Sequence, residues 1–401
     1  MSADHGNGGG RNIGADGGLS RNTGADGGAG RGAGSLAGRL AETIETPMVT
    51  IDLDILDSNL RAMAGRAAAA GVKLRPHAKT HKSVWIAKEQ LRYGAAGITV
   101  AKLGEAEVMA EAGIRDILVA FPIVGETKLM RLARLLQKAD ITVSVDHPDA
   151  ARGLSELGES LGRPIPIYVD VNSGLNRCGR EPGGPSAELV QELAGMPGIK
   201  VTGLMTHAGH AYGSRTEEEA LAVARQEADA LLSTYEVLRA RGFGPLEISV
   251  GSTPTAKFAG ALQGVTEMRP GAYVYNDVSQ WMTHTATLND CAMRIYATVV
   301  SLPRPNTAII DAGSKTLTSD SIADRPGYGL IPARPDIVIE RLSEEHGILR
   351  VPDDCELRIG DVVEIVPNHC CTVANLHDGL LGMRGGRAER VIAVDARGRV
   401  R

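Results

Sequence analysis

From residue 72 onward the chain alternates between short apolar runs and longer stretches with helical spacing. The extended runs lie at 72–75, 97–100, 116–121, 141–145, 165–171, 199–206, 246–250 and 265–268. Between them, 82–93, 104–113, 126–138, 147–161, 185–196, 215–241 and 254–262 read as helices. Strand and helix alternating with short polar joints predict an α/β fold: a closed parallel (β/α)8 barrel. An open doubly wound sheet is the alternative, though no G-x-G-x-x-G follows its first strand. Upstream, Met48 to Asp52 reads as a strand. A helix from Asp54 to Ala70 follows, with Leu53, Leu56, Leu60 and Met63 in register.

Beyond about residue 290 the runs become short, β-rich and punctuated by Pro and Gly, at 295–302, 307–311, 337–339, 348–351, 362–366 and 391–394. They predict a second, mostly antiparallel β domain. Residues 1–40 are Gly-rich with an internal echo (Arg11 to Gly18, repeated at Arg21 to Gly28) and too few apolar side chains to offset chain entropy. The expected division is a disordered tail over 1–40, a barrel over 46–285 and a β domain over 286–401.

Composition narrows the class. A length of 401 residues favours two domains, and a net charge of −5 with no long basic run argues against nucleic-acid binding. No apolar run approaches the roughly 18–20 residues that a membrane span requires, and no signal-peptide core is visible. The five cysteines, at 178, 291, 355, 370 and 371, form no disulfide pattern. A soluble, cytoplasmic protein is expected.

Candidate chemistry collects at predicted strand ends, where a barrel carries its active site. After the first run, Arg75-Pro76-His77-Ala78-Lys79-Thr80-His81-Lys82 crowds cationic groups, which disfavours an ammonium and leaves an amine able to hold a carbonyl as a Schiff base. Lys79 is the candidate carrier of pyridoxal phosphate, and Lys102 a rival on chemistry alone. Arg177, in a Gly-flanked loop after the fifth run, would keep a pyridine nitrogen unprotonated because guanidinium does not share its proton. His207 and His210 follow the sixth run. Gly251-Ser252-Thr253 opens a helix after the seventh and offers N–H groups and hydroxyls to a phosphate. In the β domain, His369 and Cys371 on an extended segment would face one side and hold a divalent ion, zinc or manganese, with Cys370 turned away.

Together these residues resemble the D-threonine aldolase and D-serine dehydratase family, pyridoxal-phosphate enzymes with the alanine-racemase-like fold, from about Thr46 to the end of the chain. The resemblance implies Lys79 as the Schiff-base lysine with His77 beside the cofactor and Arg177 at the pyridine nitrogen. It further implies Gly251, Ser252 and Thr253 at the phosphate, and Tyr275 of the R-P-G-x-Y-x-Y-N-D run in the cofactor pocket. His-x-Cys at 369–371 matches the metal pair of the dehydratases, whereas Asn375 to Leu380 and Lys102 to Ala106 look more like the aldolases. The loop His207 to Tyr212 departs from the Tyr-His-Gly turn of the aldolases; His207 is the candidate base for a substrate hydroxyl. The implied function is metal-assisted retro-aldol cleavage of a D-3-hydroxy amino acid, D-threonine above all, by a homodimer. Dehydration of D-serine or D-threo-3-hydroxyaspartate is the alternative; an amino-acid racemase and a non-catalytic cofactor-binding protein are more distant ones.

Overall fold

In the computed structural model, residues 44–401 are described, and the Gly-rich segment 1–40 lies outside them. The described chain forms one compact unit holding two sheets. Strand β1 (Met48–Asp52) runs straight into the helix Leu53–Ala70. The Asp52 carboxylate caps the N–H groups of Asp54 and Ile55, and Gly71 ends the helix at φ 67°. The expected stripe of Leu53, Leu56, Leu60 and Met63 is buried, with Ala67 continuing it.

The barrel strands are β2 (Lys73–Leu74), β3 (Ile98–Val100), β4 (Asp116–Val119), β5 (Asp140–Val145), β6 (Ile165–Asp170), β7 (Ile199–Met205), β8 (Glu247–Val250) and β9 (Glu267–Met268). All pair in parallel in the order β2-β9-β8-β7-β6-β5-β4-β3. The ring closes where the N–H groups of Ala96 and Thr99 donate to the carbonyls of Leu74 and Pro76, each at 2.8 Å. That closure rejects the open-sheet alternative. The predicted helix over 254–262 is reduced to one turn, Thr253–Ala256, and a 3₁₀ turn, Ala259–Ala261.

At its centre this barrel is not filled by aliphatic layers alone. Arg75 Nε donates to Glu267 Oε2 at 2.7 Å, and the Ser249 hydroxyl donates to Glu267 Oε1 at 2.6 Å. Arg269 donates to that same hydroxyl and to the Thr206 carbonyl. Glu267 is thus the fully buried counter-charge shared by two buried arginines. Glu267→Ala is expected to cost about 3–5 kcal/mol of unfolding free energy, because buried Arg269 loses its main counter-charge and Arg75 keeps only the partly exposed Asp116. Urea denaturation checks this, and a loss below about 1 kcal/mol would show that the network is not structural.

The second sheet comprises β10 (Met293–Arg304), β11 (Thr307–Ile310), β12 (Val338–Leu342), β13 (Gly347–Arg350), β14 (Val362–Ile365), β15 (Gly379–Arg384) and β16 (Arg387–Ala393). Its order is β12-β13-β11-β10-β1-β15-β16, with β14 beside β10. Strand β1 belongs to this sheet: it pairs antiparallel with β10 and parallel with β15. Its apolar pattern shows a half-buried strand and not which sheet takes it. No described helix is long and apolar enough to cross a membrane.

Candidate active site

Three lysines compete for the role of covalent carrier, and their surroundings separate them. Lys82 is ion-paired to Glu105 at 3.3 Å and donates to Asn375 Oδ1 at 2.8 Å. The Lys102 ammonium sits 3.4 Å from the ring centroid of Phe121, an exposed side chain. Lys79 has no ion pair among the described residues. It lies on the 3₁₀ turn Ala78–Thr80 directly after β2, with its own N–H on His77 Nδ1 at 3.3 Å. Desolvation lowers its pKa, Arg177 and Arg269 push the same way, and the Cys371 charge opposes them. A desolvated, unpaired amine is what carbonyl attack requires.

The two histidines of this segment have different duties. His81 is fully buried: Nδ1 accepts the Ser83 N–H at 3.0 Å, and Nε2 meets Gln90 Oε1 at 3.3 Å. Gln90 in turn donates to the Tyr273 hydroxyl at 3.1 Å. Burial drops the His81 pKa to about 4, so it stays neutral and structural. His77 remains at the mouth, its pKa lowered well below the ordinary value by desolvation and then by Lys79. Gly271 faces this turn. A Cβ there would stand 2.7 Å from Thr80 Oγ1 and 3.1 Å from the His77 carbonyl, so glycine is needed for the close approach.

Arg177 is carried by the loop between β6 and the helix Gly184–Ala194. Asn172 Oδ1 shapes that loop by accepting the N–H groups of Gly174 and Asn176 at 3.0 and 3.1 Å. A small cavity there is lined by Asp170, Ser173, Arg177, Thr206 and His207. Burial raises the Asp170 carboxyl to about 6, against the pull of Arg269 and Arg177. His207 Nδ1 lies 2.6 Å from the Gly251 carbonyl, so Nδ1–H donates and Nε2 is left as acceptor. Desolvation, then Lys79, lowers the His207 pKa to about 3, which keeps the ring neutral. Both ring nitrogens of His210 are buried without a partner among the described residues.

At the proposed phosphate seat the structure changes part of the expectation. Gly251 N–H points back to the buried Glu227 Oε2 at 3.3 Å, and Ser252 Oγ caps the Thr255 N–H at 3.4 Å. A four-residue helix carries little macrodipole. What stays available are the N–H groups of Ser252 and Thr253, which have no acceptor among the described residues.

His369 and Cys371 do not lie on a strand. His369 is the residue before the helix Cys370–Leu376, and Cys371 stands in its first turn. The helix turn still brings them together: Cys371 is held well below its ordinary pKa by the Cys370 thiol and by His369, and His369 is raised by Cys371. Cys370 is fully buried beneath the pair. Asp277, which the sequence showed without assigning a role, accepts from His369 Nδ1 at 3.2 Å and from the Cys370 N–H at 2.9 Å. A carboxylate on Nδ1 fixes the tautomer and leaves Nε2 for a ligand, the usual support of a metal-binding histidine. Cys371 Sγ lies 3.2 Å from Thr80 Oγ1, the residue after Lys79. Tyr275 is completely buried and its hydroxyl has no partner among the described residues. Tyr212 was also missed. Its pKa is raised by burial, then by Cys371 and Asp277, which places it beside the pair.

Comparison with known proteins places the chain as a whole. The alanine racemase N-terminal domain matches residues 51–278, and a putative serine dehydratase domain matches 292–383. The chain is 35% identical to a D-threonine aldolase of an Arthrobacter species, over 88% of this chain and 93% of that one. It is 34% identical to the D-threo-3-hydroxyaspartate dehydratase of Delftia sp. strain HT23, over 82% and 91%. The crystal structure of D-threonine aldolase from Filomicrobium marinum superposes with a TM-score of 0.83 at 36% identity, covering 90% of this chain and 98% of that one. The fold, the lysine at the barrel mouth and these matches make the chain a member of the alanine-racemase-fold family of pyridoxal-phosphate-dependent lyases that act on D-amino acids.

Proposed function

We propose that the chain is a pyridoxal-phosphate- and divalent-metal-dependent aldolase that cleaves D-3-hydroxy amino acids of the D-threonine type to glycine and an aldehyde. The observation that carries this reading is the convergence of Lys79 with the His369–Cys371 pair, linked through Thr80, at one barrel mouth.

The residues present fit the cofactor. Lys79 is unpaired and desolvated, Arg177 acts on both Lys79 and His207, and the buried Tyr275 hydroxyl awaits a partner. Ser252 and Thr253 offer free N–H groups to a phosphate. Lys79 would hold pyridoxal phosphate between turnovers, and the cofactor, passed to the substrate amine, would supply an electron sink for the pair left at Cα. The donor set fits zinc or manganese as well: a thiol with a lowered pKa beside an imidazole whose Nδ1–H is committed to Asp277. Held there, the ion supplies Lewis acidity toward the β-hydroxyl.

The chain's own groups then do the following. A guanidinium does not share its proton, so a pyridine nitrogen facing Arg177 would stay unprotonated and the electron sink would be weak. This suits a cleavage with little charge accumulation. His207 holds its proton at Nδ1 against the Gly251 carbonyl and presents Nε2 as acceptor for the β-hydroxyl proton. Thr80 and Asp277 orient Cys371 and His369.

Dehydration is the second reading, favoured by the His-x-Cys pair. Arg325 bears on the substrate of either reaction. It is partly buried, donates to Asn368 Oδ1 at 3.4 Å next to His369, and has no carboxylate partner among the described residues. A substrate with a second carboxylate would supply one. Incubating the enzyme with D-threonine and with D-3-hydroxyaspartate separates these readings by product. Glycine and an aldehyde are expected from both; a keto acid with ammonia would assign the dehydratase branch.

A further inference from the structure

Glu227 is a buried acid that the chemistry above does not use. It lies on the helix Glu217–Ala240 and is 0% exposed. No lysine or arginine makes an ion pair with it among the described residues. Oε2 accepts the Gly251 N–H at 3.3 Å, and Oε1 is buried without a hydrogen-bond partner among the described residues. The Thr255 hydroxyl and the Ala208 N–H stand nearby. Gly251 and Thr255 bracket Ser252 and Thr253, so this carboxyl sits directly behind the seat proposed for the cofactor's phosphate.

A carboxylate and a phosphate so placed in a dry site repel each other strongly. We infer that Glu227 is a positioning residue for the cofactor's phosphate: as a neutral acid it braces the Gly251–Thr255 turn, and the anion is held tightly only while Glu227 keeps its proton. The inference rests on the reading that the phosphate occupies 251–253. Burial raises the Glu227 pKa to about 7, with Thr255, Gly251 and the Arg269 charge opposing. Arg269 is the cation that bears on it from β9's end of the barrel. His207, joined to the same turn through the Gly251 carbonyl, is neutral. Bound phosphate favours the protonated carboxyl further, so binding takes up a proton and affinity falls as pH rises through about 7, by up to about tenfold per pH unit.

The test is the dissociation constant of pyridoxal phosphate for the cofactor-free wild-type protein and for Glu227→Gln, from pH 6 to 9, with phosphate-free pyridoxal as control. The amide is neutral at every pH, and the titrations of Lys79 and of the phosphate cancel in the wild-type-to-variant ratio. That ratio is expected near 1 at pH 6 and at about tenfold or more by pH 8.5, while the pyridoxal ratio stays flat. A flat ratio for both ligands, with pyridoxal phosphate bound normally, would overturn the role of Glu227. Equal affinity of wild type for the two ligands at pH 6 would instead overturn the seat itself. If Glu227→Gln does not fold, calorimetry on wild type at pH 8 in buffers of different ionisation enthalpy decides. About one more proton taken up with pyridoxal phosphate than with pyridoxal supports the role, and no difference overturns it.

Discussion

Lys79→Ala is expected to abolish activity, by at least about 10⁴-fold, and to remove the visible absorption of the bound cofactor. Borohydride reduction of wild type followed by peptide mapping should place the label on Lys79. The reason is comparative. Lys82 is committed to Glu105 and Asn375, and Lys102 to the face of Phe121, so neither amine is free to meet a carbonyl at the barrel mouth. Lys79 has burial working against its charge and no ion pair among the described residues. Because its side chain makes no hydrogen bond that the fold uses, the variant should melt close to wild type in the absence of cofactor. Label on Lys102, or a variant that retains its colour and rate, would overturn the assignment.

Cys371→Ala should lose the divalent ion and about 10³-fold in rate, while the cofactor colour persists. Metal analysis beside the visible spectrum makes the two losses distinguishable. Cys371 is the softer of the two donors, and its thiol is already biased toward the thiolate by Cys370 and His369. Asp277→Asn should weaken binding of the ion about 10–100-fold without abolishing it, since Asp277 supports His369 and the Cys370 N–H from behind and is not itself placed as a ligand. An unchanged rate in Cys371→Ala would take the ion out of the mechanism.

Much of this site is legible in the sequence because barrels put their chemistry on loops after strands. Lys79, Arg177, His207 and Gly251 each follow a run whose hydrophobic pattern marks it as a strand, and the structure finds each strand there. A period-two reading of His369 and Cys371 assumes a strand, whereas the segment is a helix start; the two side chains still meet because His369 is the extended cap residue and not part of the helix. Asp277, Tyr212, Glu227 and Arg269 gave no local signal. The groups that give them a role (His369 and Cys370 for Asp277, Cys371 for Tyr212, Gly251 for Glu227, Ser249 and Thr206 for Arg269) stand from 20 to 159 positions away, and a single Asp or Tyr in a loop looks the same whether or not something meets it.

The division follows from the range of the forces. Apolar periodicity, turn residues and caps act over a few residues, so the sequence alone established the eight barrel strands, the first helix and the β-rich end. It also determined which lysine carries the most cationic neighbourhood. Closure of the ring through Leu74 and Pro76, the capture of β1 by the second sheet, and the buried Arg75–Glu267–Ser249–Arg269 network belong to tertiary structure. So does the choice of Lys79 over Lys82. Burial and pairing, not the identity of the side chain, set where a charge is tolerated, and both arise only when distant segments meet.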